Sequence, residues 1–143
     1  MFHQILIAHD GSDSARKAFD AAVQLAARLG AQLRMICVEE EIVDFNLGIV
    51  GHPDLICRLK GDRWPRVVDF KTPITKNALW AVQISVYDYL ARKFLNSPVE
   101  HSGALRLRGD GGQAKFDEVH DPDRWFAAFL EAMDFQKQIE EGF

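Results

Sequence analysis

The opening of the chain alternates a short apolar run, a polar turn, a long amphipathic stretch and a second apolar run. Residues 2–8 are apolar enough for a strand, and the turn at residues 10–13 is rich in helix-capping side chains. Over residues 14–29 apolar side chains recur at helical spacing, and Gly30 suits the left-handed conformation that ends many helices. With a further strand at 33–38, this pattern predicts two parallel strands joined by a right-handed crossover.

Beyond Glu41 the chain changes to consecutive strands. Residues 51–59 and 66–70 have strand character and flank a hairpin-type connection at 60–63. A second long helix is predicted over residues 76–95. Its expected buried stripe consists of Ala78, Leu79, Val82, Val86, Leu90 and Phe94.

The last part of the chain predicts two more strands, at 104–108 and 113–119, and a helix that opens at Pro122. The apolar face of this helix comprises Trp125, Phe126, Phe129, Leu130 and Met133. A chain of 143 residues with 48% hydrophobic residues fits one globular domain. We therefore predict a single α/β domain over residues 1–143, with a mixed β-sheet flanked by helices.

Composition says more about the cellular compartment of the protein than about its function. No apolar run reaches 18 residues, which predicts that nothing spans a membrane. The first residues lack the basic flank and cleavage site of a secretion signal. Cys37 and Cys57 lie in apolar, strand-like runs without zinc-ligand spacing. Free, buried thiols in a reducing cytoplasm are the favoured interpretation, so we expect a cytoplasmic protein.

The net charge of −4 requires any nucleic-acid contact to use a local basic patch. Two groups of basic residues are candidates for such a patch, and a solvated sheet face explains them equally well. They are Arg58, Lys60, Arg63 and Arg66 in the first group, and Arg106 and Arg108 in the second.

Two carboxylates and a lysine stand out on the predicted hairpin. Asp69 and Lys71 are two apart on one strand and share a face, and the hairpin can bring Asp54 alongside them. Two carboxylates with a backbone carbonyl, here that of Phe70, suit Mg²⁺ or Mn²⁺. Such an ion would polarise a phosphate, and Lys71 would orient or help to deprotonate the attacking water. The alternative is a surface hairpin with scattered charges, but Asp69 ends an apolar run, where an unpartnered carboxylate is costly.

These residues belong to three short motifs that occur in order: Gly51-x-x-Asp54, Asp69-x-Lys71-Thr72 and Gln83-x-x-x-Tyr87. The ordered set resembles the signature of RecB-like exonucleases in the PD-(D/E)XK superfamily and extends over about residues 39–143. The resemblance implies a restriction-endonuclease-like core and a DNA substrate.

The resemblance also implies a role for each matching residue. The catalytic set would be Asp54, Asp69, Lys71, Gln83 and Tyr87. The metal ligands would be Asp54, Asp69, the Phe70 carbonyl and Glu39, with Glu40 and Glu41 as alternatives to Glu39. An ordinary helix face is the alternative interpretation of Gln83 and Tyr87.

The N-terminal segment, about residues 1–38, resembles a different family. Residues 2–12, the alanine-rich helix and residues 29–33 are similar to the opening of universal stress proteins, the first β-α-β unit of a flavodoxin-like fold. In that family the aspartate matching Asp10 contacts a bound nucleotide, usually ATP. A helix cap is the alternative explanation for this Asp-Gly-Ser turn. The chain thus resembles a fusion, natural or engineered, with a join near residue 38.

The leading hypothesis from the sequence is a metal-dependent deoxyribonuclease. RecB-like members usually carry a histidine or glutamate on the first helix as a further ligand, and residues 14–29 contain neither, so impaired activity is expected. One alternative is a nucleotide-binding module that uses Asp10 without catalysis, and another is an inactive folded chimera. An unpaired N-terminal edge strand would also permit a homodimer.

Overall fold

The structure is a computed structural model that describes residues 4–9, 13–30, 32–38, 41–59, 61–72 and 77–142. The strands of the described residues are β1 Gln4–His9, β2 Gln32–Val38, β3 Ile42–Asp44, β4 Ile49–Gly51, β5 Leu55–Cys57, β6 Arg66–Lys71, β7 Gly103–Arg106 and β8 Lys115–Glu118. The helices are α1 Asp13–Leu29, α2 Leu79–Leu95 and α3 Pro122–Gly142.

Within the described ranges the main sheet has six strands, in the order β1-β2-β5-β6-β7-β8. The β1–β2 and β6–β7 pairs are parallel, and the other neighbours in this sheet are antiparallel. Strands β3 and β4 form a separate antiparallel hairpin. The expected α/β fold with a mixed sheet packed against helices is confirmed, and β1 lies at one edge of the main sheet.

The parallel arrangement expected for the N-terminal unit is also confirmed. Helix α1 packs on β1 and β2, with Ala26 buried. Gly30 follows the helix with φ of +60°, the left-handed conformation that a residue without Cβ adopts readily.

The region between residues 42 and 57 differs from the expectation. The predicted strand at 51–59 is interrupted, because the chain leaves β4 after Gly51 and enters β5 only at Leu55. Buried Pro53 lies in this break, and proline lacks the N–H that a continuous central ladder requires. The hairpin β3–β4 was not predicted, since its strands have three residues each and give little alternating pattern. Asp54 therefore immediately precedes β5 rather than lying within a strand.

Helix α2 packs against β6, β7 and α3, but the buried stripe expected for it is wrong in part. Leu79 and Phe94 are 69% and 49% exposed. The residues that α2 buries are Ile84, Ser85, Val86, Asp88, Leu90 and Ala91. Apolar spacing misplaced this face because two of its central members are polar. Ser85 donates to the Val82 carbonyl of the same helix, and Asp88 accepts from Ser102 outside it.

Helix α3 covers α2 from the outside with the apolar face expected from the sequence. Phe126, Phe129, Leu130 and Met133 pack against the core, and the Phe126 ring stacks on Tyr89 with centroids 4.2 Å apart. None of the described residues of α3 is fully buried. Among the helices of the described residues, none has the length and apolar character needed to cross a membrane.

Candidate active site

The β5–β6 register brings the two aspartates of the candidate site together. Leu55 pairs with Val68 in this antiparallel ladder, so one step further along places Asp54 opposite Asp69. The Oδ2 atom of Asp54 accepts a 2.6 Å hydrogen bond from the backbone N–H of Phe70. This hydrogen bond holds the short loop through Pro53 against β6, with Asp54 beside Asp69 as the hairpin prediction expected.

The Asp69 carboxylate is held in a buried setting. The residue is 3% exposed, and the ammonium group of Lys71 contacts its Oδ2. Burial raises the pKa of Asp69, the contact with Lys71 opposes that rise, and the nearby Asp54 carboxylate adds to it. Oδ2 is shielded from solvent, and the Lys71 ammonium is its cationic neighbour among the described residues. A metal ion bound at this oxygen would therefore share it with Lys71.

A chain of side-chain hydrogen bonds leads from β6 to α2. Nζ of Lys71 donates to Oε1 of Gln83 over 2.8 Å, and Nε2 of Gln83 donates to the Tyr87 hydroxyl over 2.9 Å. Gln83 and Tyr87 are four residues apart and lie on one face of the helix. The structure therefore brings together Asp54, Asp69, Lys71, Gln83 and Tyr87.

Gly51, the first residue of the motif that ends at Asp54, allows α2 to approach β4. A Cβ atom at this position would lie 2.7 Å from Cδ1 of Leu90 and 2.9 Å from Cδ1 of Tyr87. At such distances the Leu90 and Tyr87 side chains, or the elements that carry them, would have to shift, so glycine suits the close approach of the helix here. Tyr87, at the end of the hydrogen-bonded chain, thus lies against Gly51.

The donor set partly fits a divalent cation. Asp54 and Asp69 offer two adjacent carboxylates, one with the buried oxygen described above. No cluster of three acidic, histidine or cysteine side chains suitable for a metal occurs among the described residues. Glu39 and Glu40 lie outside the described residues, and Glu41 is exposed at 3.5 Å from His52. The carbonyl ligand expected from Phe70 remains a prediction.

Three polar residues near the site were missed by the sequence analysis. The Ser102 hydroxyl donates to buried Asp88 over 2.7 Å and accepts from the backbone N–H of Val67 over 3.1 Å. Nε of Arg92 lies 3.0 Å from the other Asp88 oxygen. Burial raises the pKa of Asp88, while the Ser102 and Arg92 contacts oppose the rise. Through these contacts Ser102 connects α2 to Val67 on β6, two residues before Asp69. Their only signal in the sequence was a polar residue at an inward helical position.

The basic residues proposed for a nucleic-acid surface are largely paired. Arg66 binds Asp62, and Arg106 binds Asp117. Arg108 binds Asp110, and this contact raises the pKa of the guanidinium. Lys60 lies outside the described residues.

Cys57 is free and buried, as expected, and burial raises the pKa of its thiol.

Residues 1–48 match the model of the universal stress protein family. The N-terminal resemblance is therefore confirmed, and the match reaches beyond residue 38 to the turn between β3 and β4. It covers 48 of 143 residues and ends before Asp54. Comparisons with curated proteins and with solved structures gave no match. Asp10, the expected nucleotide contact, lies outside the described residues.

Proposed function

We propose that this protein hydrolyses phosphodiester bonds in DNA with the help of Mg²⁺ or Mn²⁺. One arrangement supports the proposal: Asp54 and Asp69 lie side by side, and Lys71 is held next to them by Gln83. Hard oxygen ligands of this kind suit both ions. The nuclease-type motif order and the restriction-endonuclease-like core remain part of this proposal.

Each residue of the group contributes a separate task. Asp54 and Asp69 would hold the cation, whose positive charge would stabilise the transition state of phosphoryl cleavage when bound. Lys71 carries an ammonium charge beside Asp69. It would orient the attacking water and add positive charge where negative charge develops during attack on a phosphate. Gln83 orients the lysine through a neutral acceptor, which leaves the ammonium charge intact. The buried setting of Asp69 lowers the local dielectric and strengthens these interactions.

Cleavage of linear DNA by the Lys71→Ala variant tests the proposal. Loss of the lysine is expected to lower the rate in Mg²⁺ or Mn²⁺ at least about 100-fold, the lower range for loss of an acid–base group. Lys137→Ala, at an exposed position on α3, is the matched control and should cleave like the parent chain. Undiminished cleavage by Lys71→Ala would exclude the assignment.

A second candidate is nucleotide binding at the N-terminal unit, which the family match over residues 1–48 supports. The end of a strand followed by a helix N-terminus is a suitable phosphate site. This function predicts ATP binding that Asp10→Ala weakens, and a flat calorimetric titration of the parent chain with ATP would eliminate it. If neither cleavage nor ATP binding is found while the protein unfolds cooperatively, the chain is an inactive folded fusion.

A further inference from the structure

A pocket of about 440 Å³ lies beside the candidate active site, between the start of α2, strands β7 and β8, and the start of α3. Its lining includes Trp80, Ala81 and Ile84 from α2, and Trp125 from α3. The volume lies in the range of small-ligand sites, which typically combine apolar or aromatic surfaces with polar groups. The polar and charged part of this lining consists of Asn77, Asp117, Glu118, His120, Asp121 and Arg124.

Sheet register connects this pocket to the candidate active site. Asp69 pairs with Ala104 on β7, and Ala104 pairs with Asp117 on β8. Paired residues on neighbouring strands point to the same face, so these three side chains form a row across the sheet. Asp69 belongs to the candidate active site, while Ala104 and Asp117 line the pocket. One small residue, Ala104, therefore separates the two on the sheet.

The acidic side chains at the pocket already have partners. Asp117 is bound to Arg106, and Glu118 accepts from His101 over 2.8 Å. Asp121 is next to the start of α3, where its carboxylate lies 3.4 Å from the backbone N–H of Arg124. The Asp117 carboxylate is therefore compensated by a guanidinium, whereas Glu118 and Asp121 are only hydrogen-bonded. A neutral nucleobase, rather than a phosphate, is the part of a strand that suits this lining.

A row of basic residues crosses the same face of the sheet, two residues further along the strands. Lys71 pairs with Arg106, and Arg106 pairs with Lys115. Arg106 and Lys115 also line a neighbouring cleft of about 810 Å³ at the end of the β7–β8 hairpin. The aromatic pocket is thus next to a row of basic residues, of which Lys71 and Arg106 are already bound by Asp69 and Asp117. Aromatic stacking and contacts of basic side chains with the backbone are the two means by which proteins bind single-stranded nucleic acids.

We propose that the Trp80–Trp125 pocket binds an unpaired nucleobase of the substrate strand while its phosphates follow the row Lys71, Arg106 and Lys115. This assignment rests on the proposed phosphodiesterase function and gives it a substrate class, a single-stranded DNA end. A base-paired nucleobase cannot enter the pocket, because its faces are already stacked and its edge is paired.

Binding of a short labelled oligothymidylate in EDTA tests this assignment without cleavage. Quenching of tryptophan fluorescence and anisotropy of the label give the affinity, with a blunt duplex of equal length for comparison. Trp80→Leu is expected to weaken oligothymidylate binding about 5- to 150-fold, the range that corresponds to one lost base stack. Trp80→Phe keeps a stacking ring and should retain most of the affinity.

The control variant is Trp64→Phe, which changes a tryptophan that does not line this pocket and should leave affinity unchanged. Thermal unfolding of Trp80→Leu and Trp80→Phe establishes that both fold alike. Equal affinity in Trp80→Leu and the parent chain, or equal affinity of the parent for duplex and single strand, would overturn the pocket assignment.

Failure of the assignment is distinguishable from failure of the proposed catalysis. If Lys71→Ala abolishes cleavage while Trp80→Leu binds normally, the phosphodiesterase stands and the pocket assignment is wrong. If Trp80 controls oligothymidylate binding but no variant or condition gives cleavage, the pocket assignment is supported as a binding function and the catalytic proposal is wrong.

Discussion

The ammonium group of Lys71 on β6 donates its 2.8 Å hydrogen bond to an amide oxygen of α2, that of Gln83. Because this bond restricts where the lysine lies relative to Asp69, Gln83 acts as a positioning residue in the proposed reaction. Gln83→Ala is expected to lower kcat about tenfold or more, with little change in KM, since a bond to a charged group is lost. Steady-state cleavage assays measure both constants.

Tyr87→Phe provides a graded comparison for this prediction. It removes only the acceptor of the Gln83 amide and should lower kcat less than Gln83→Ala does. Tyr89→Phe is the control on the same helix, because its hydroxyl binds Asp44 instead. It should leave kcat unchanged, and a rate loss equal to that of Gln83→Ala would point to a general weakening of α2.

Gly51→Ala is expected to destabilise the fold by about 1–3 kcal/mol, the usual range for overpacking. The added methyl would meet Leu90 and Tyr87 at distances that force these side chains, or the elements that carry them, to shift. Urea unfolding measures the change in free energy. Gly109→Ala is the matched control, since a Cβ there meets no atom within 4 Å. Equal stability of Gly51→Ala and the parent would show that the packing of α2 on β4 does not require a residue without Cβ at position 51.

Ser102→Ala is expected to cost about 1–3 kcal/mol of unfolding free energy, because it leaves buried polar groups without a partner. The groups concerned are a carboxylate oxygen of Asp88 and the backbone N–H of Val67. Ser97→Ala serves as the control, since that hydroxyl donates to the carbonyl of the adjacent Pro98 and, among the described residues, to no distant group. Denaturant unfolding measures the free energy of unfolding of both variants. Equal decreases in Ser102→Ala and Ser97→Ala would contradict a special role for the buried serine.

Asp44→Asn is expected to change how stability depends on pH. Hydrogen bonds from Lys93 and Tyr89, and from the backbone of the β3–β4 turn, hold the pKa of the Asp44 carboxyl well below its usual value of 3.8. A lowered pKa in the folded state stabilises the protein above the unfolded value, and the gain disappears as pH falls through the folded value.

The parent chain should therefore exceed Asp44→Asn in stability at neutral pH, and the difference should shrink progressively below pH 3.8. Unfolding midpoints in urea between neutral and strongly acidic pH measure the difference. Asp134→Asn, at an exposed site on α3, is the control for removing one negative charge. A difference that stays constant down to acidic pH would contradict the assignment.

The core of the candidate site was predictable because its residues follow local rules. Asp69 and Lys71 are two residues apart on a strand and therefore share a face. Gln83 and Tyr87 are about one turn apart on a helix. Asp54 was expected beside them from hairpin pairing, although the chain reaches that position through a loop at Pro53. That the helix residues would join the strand residues in one site was predicted from the order of the three motifs. Apolar periodicity in the strand and in the helix does not predict this.

Features that depend on tertiary partners were not predictable in the same way. The inward face of α2 contains Asp88, whose burial becomes favourable only with Ser102 and Arg92 nearby. The turn of the β3–β4 hairpin is organised by Asp44, whose carboxylate accepts from the backbone N–H groups of Asn46 and Leu47. Neither partnership has a signature in apolar spacing.

Strand β2 is bonded on both sides, to β1 in parallel and to β5 in antiparallel orientation. A chain divided just before Glu41 would give two fragments with open ladders, one at β2 and one at Leu55 and Ile56 of β5. Open edges of this kind recruit any strand within reach. Since the native partner has the matching register, the two fragments should reassemble with each other when mixed. The β2–β5 ladder is thus where the two halves of the sheet would recognise each other.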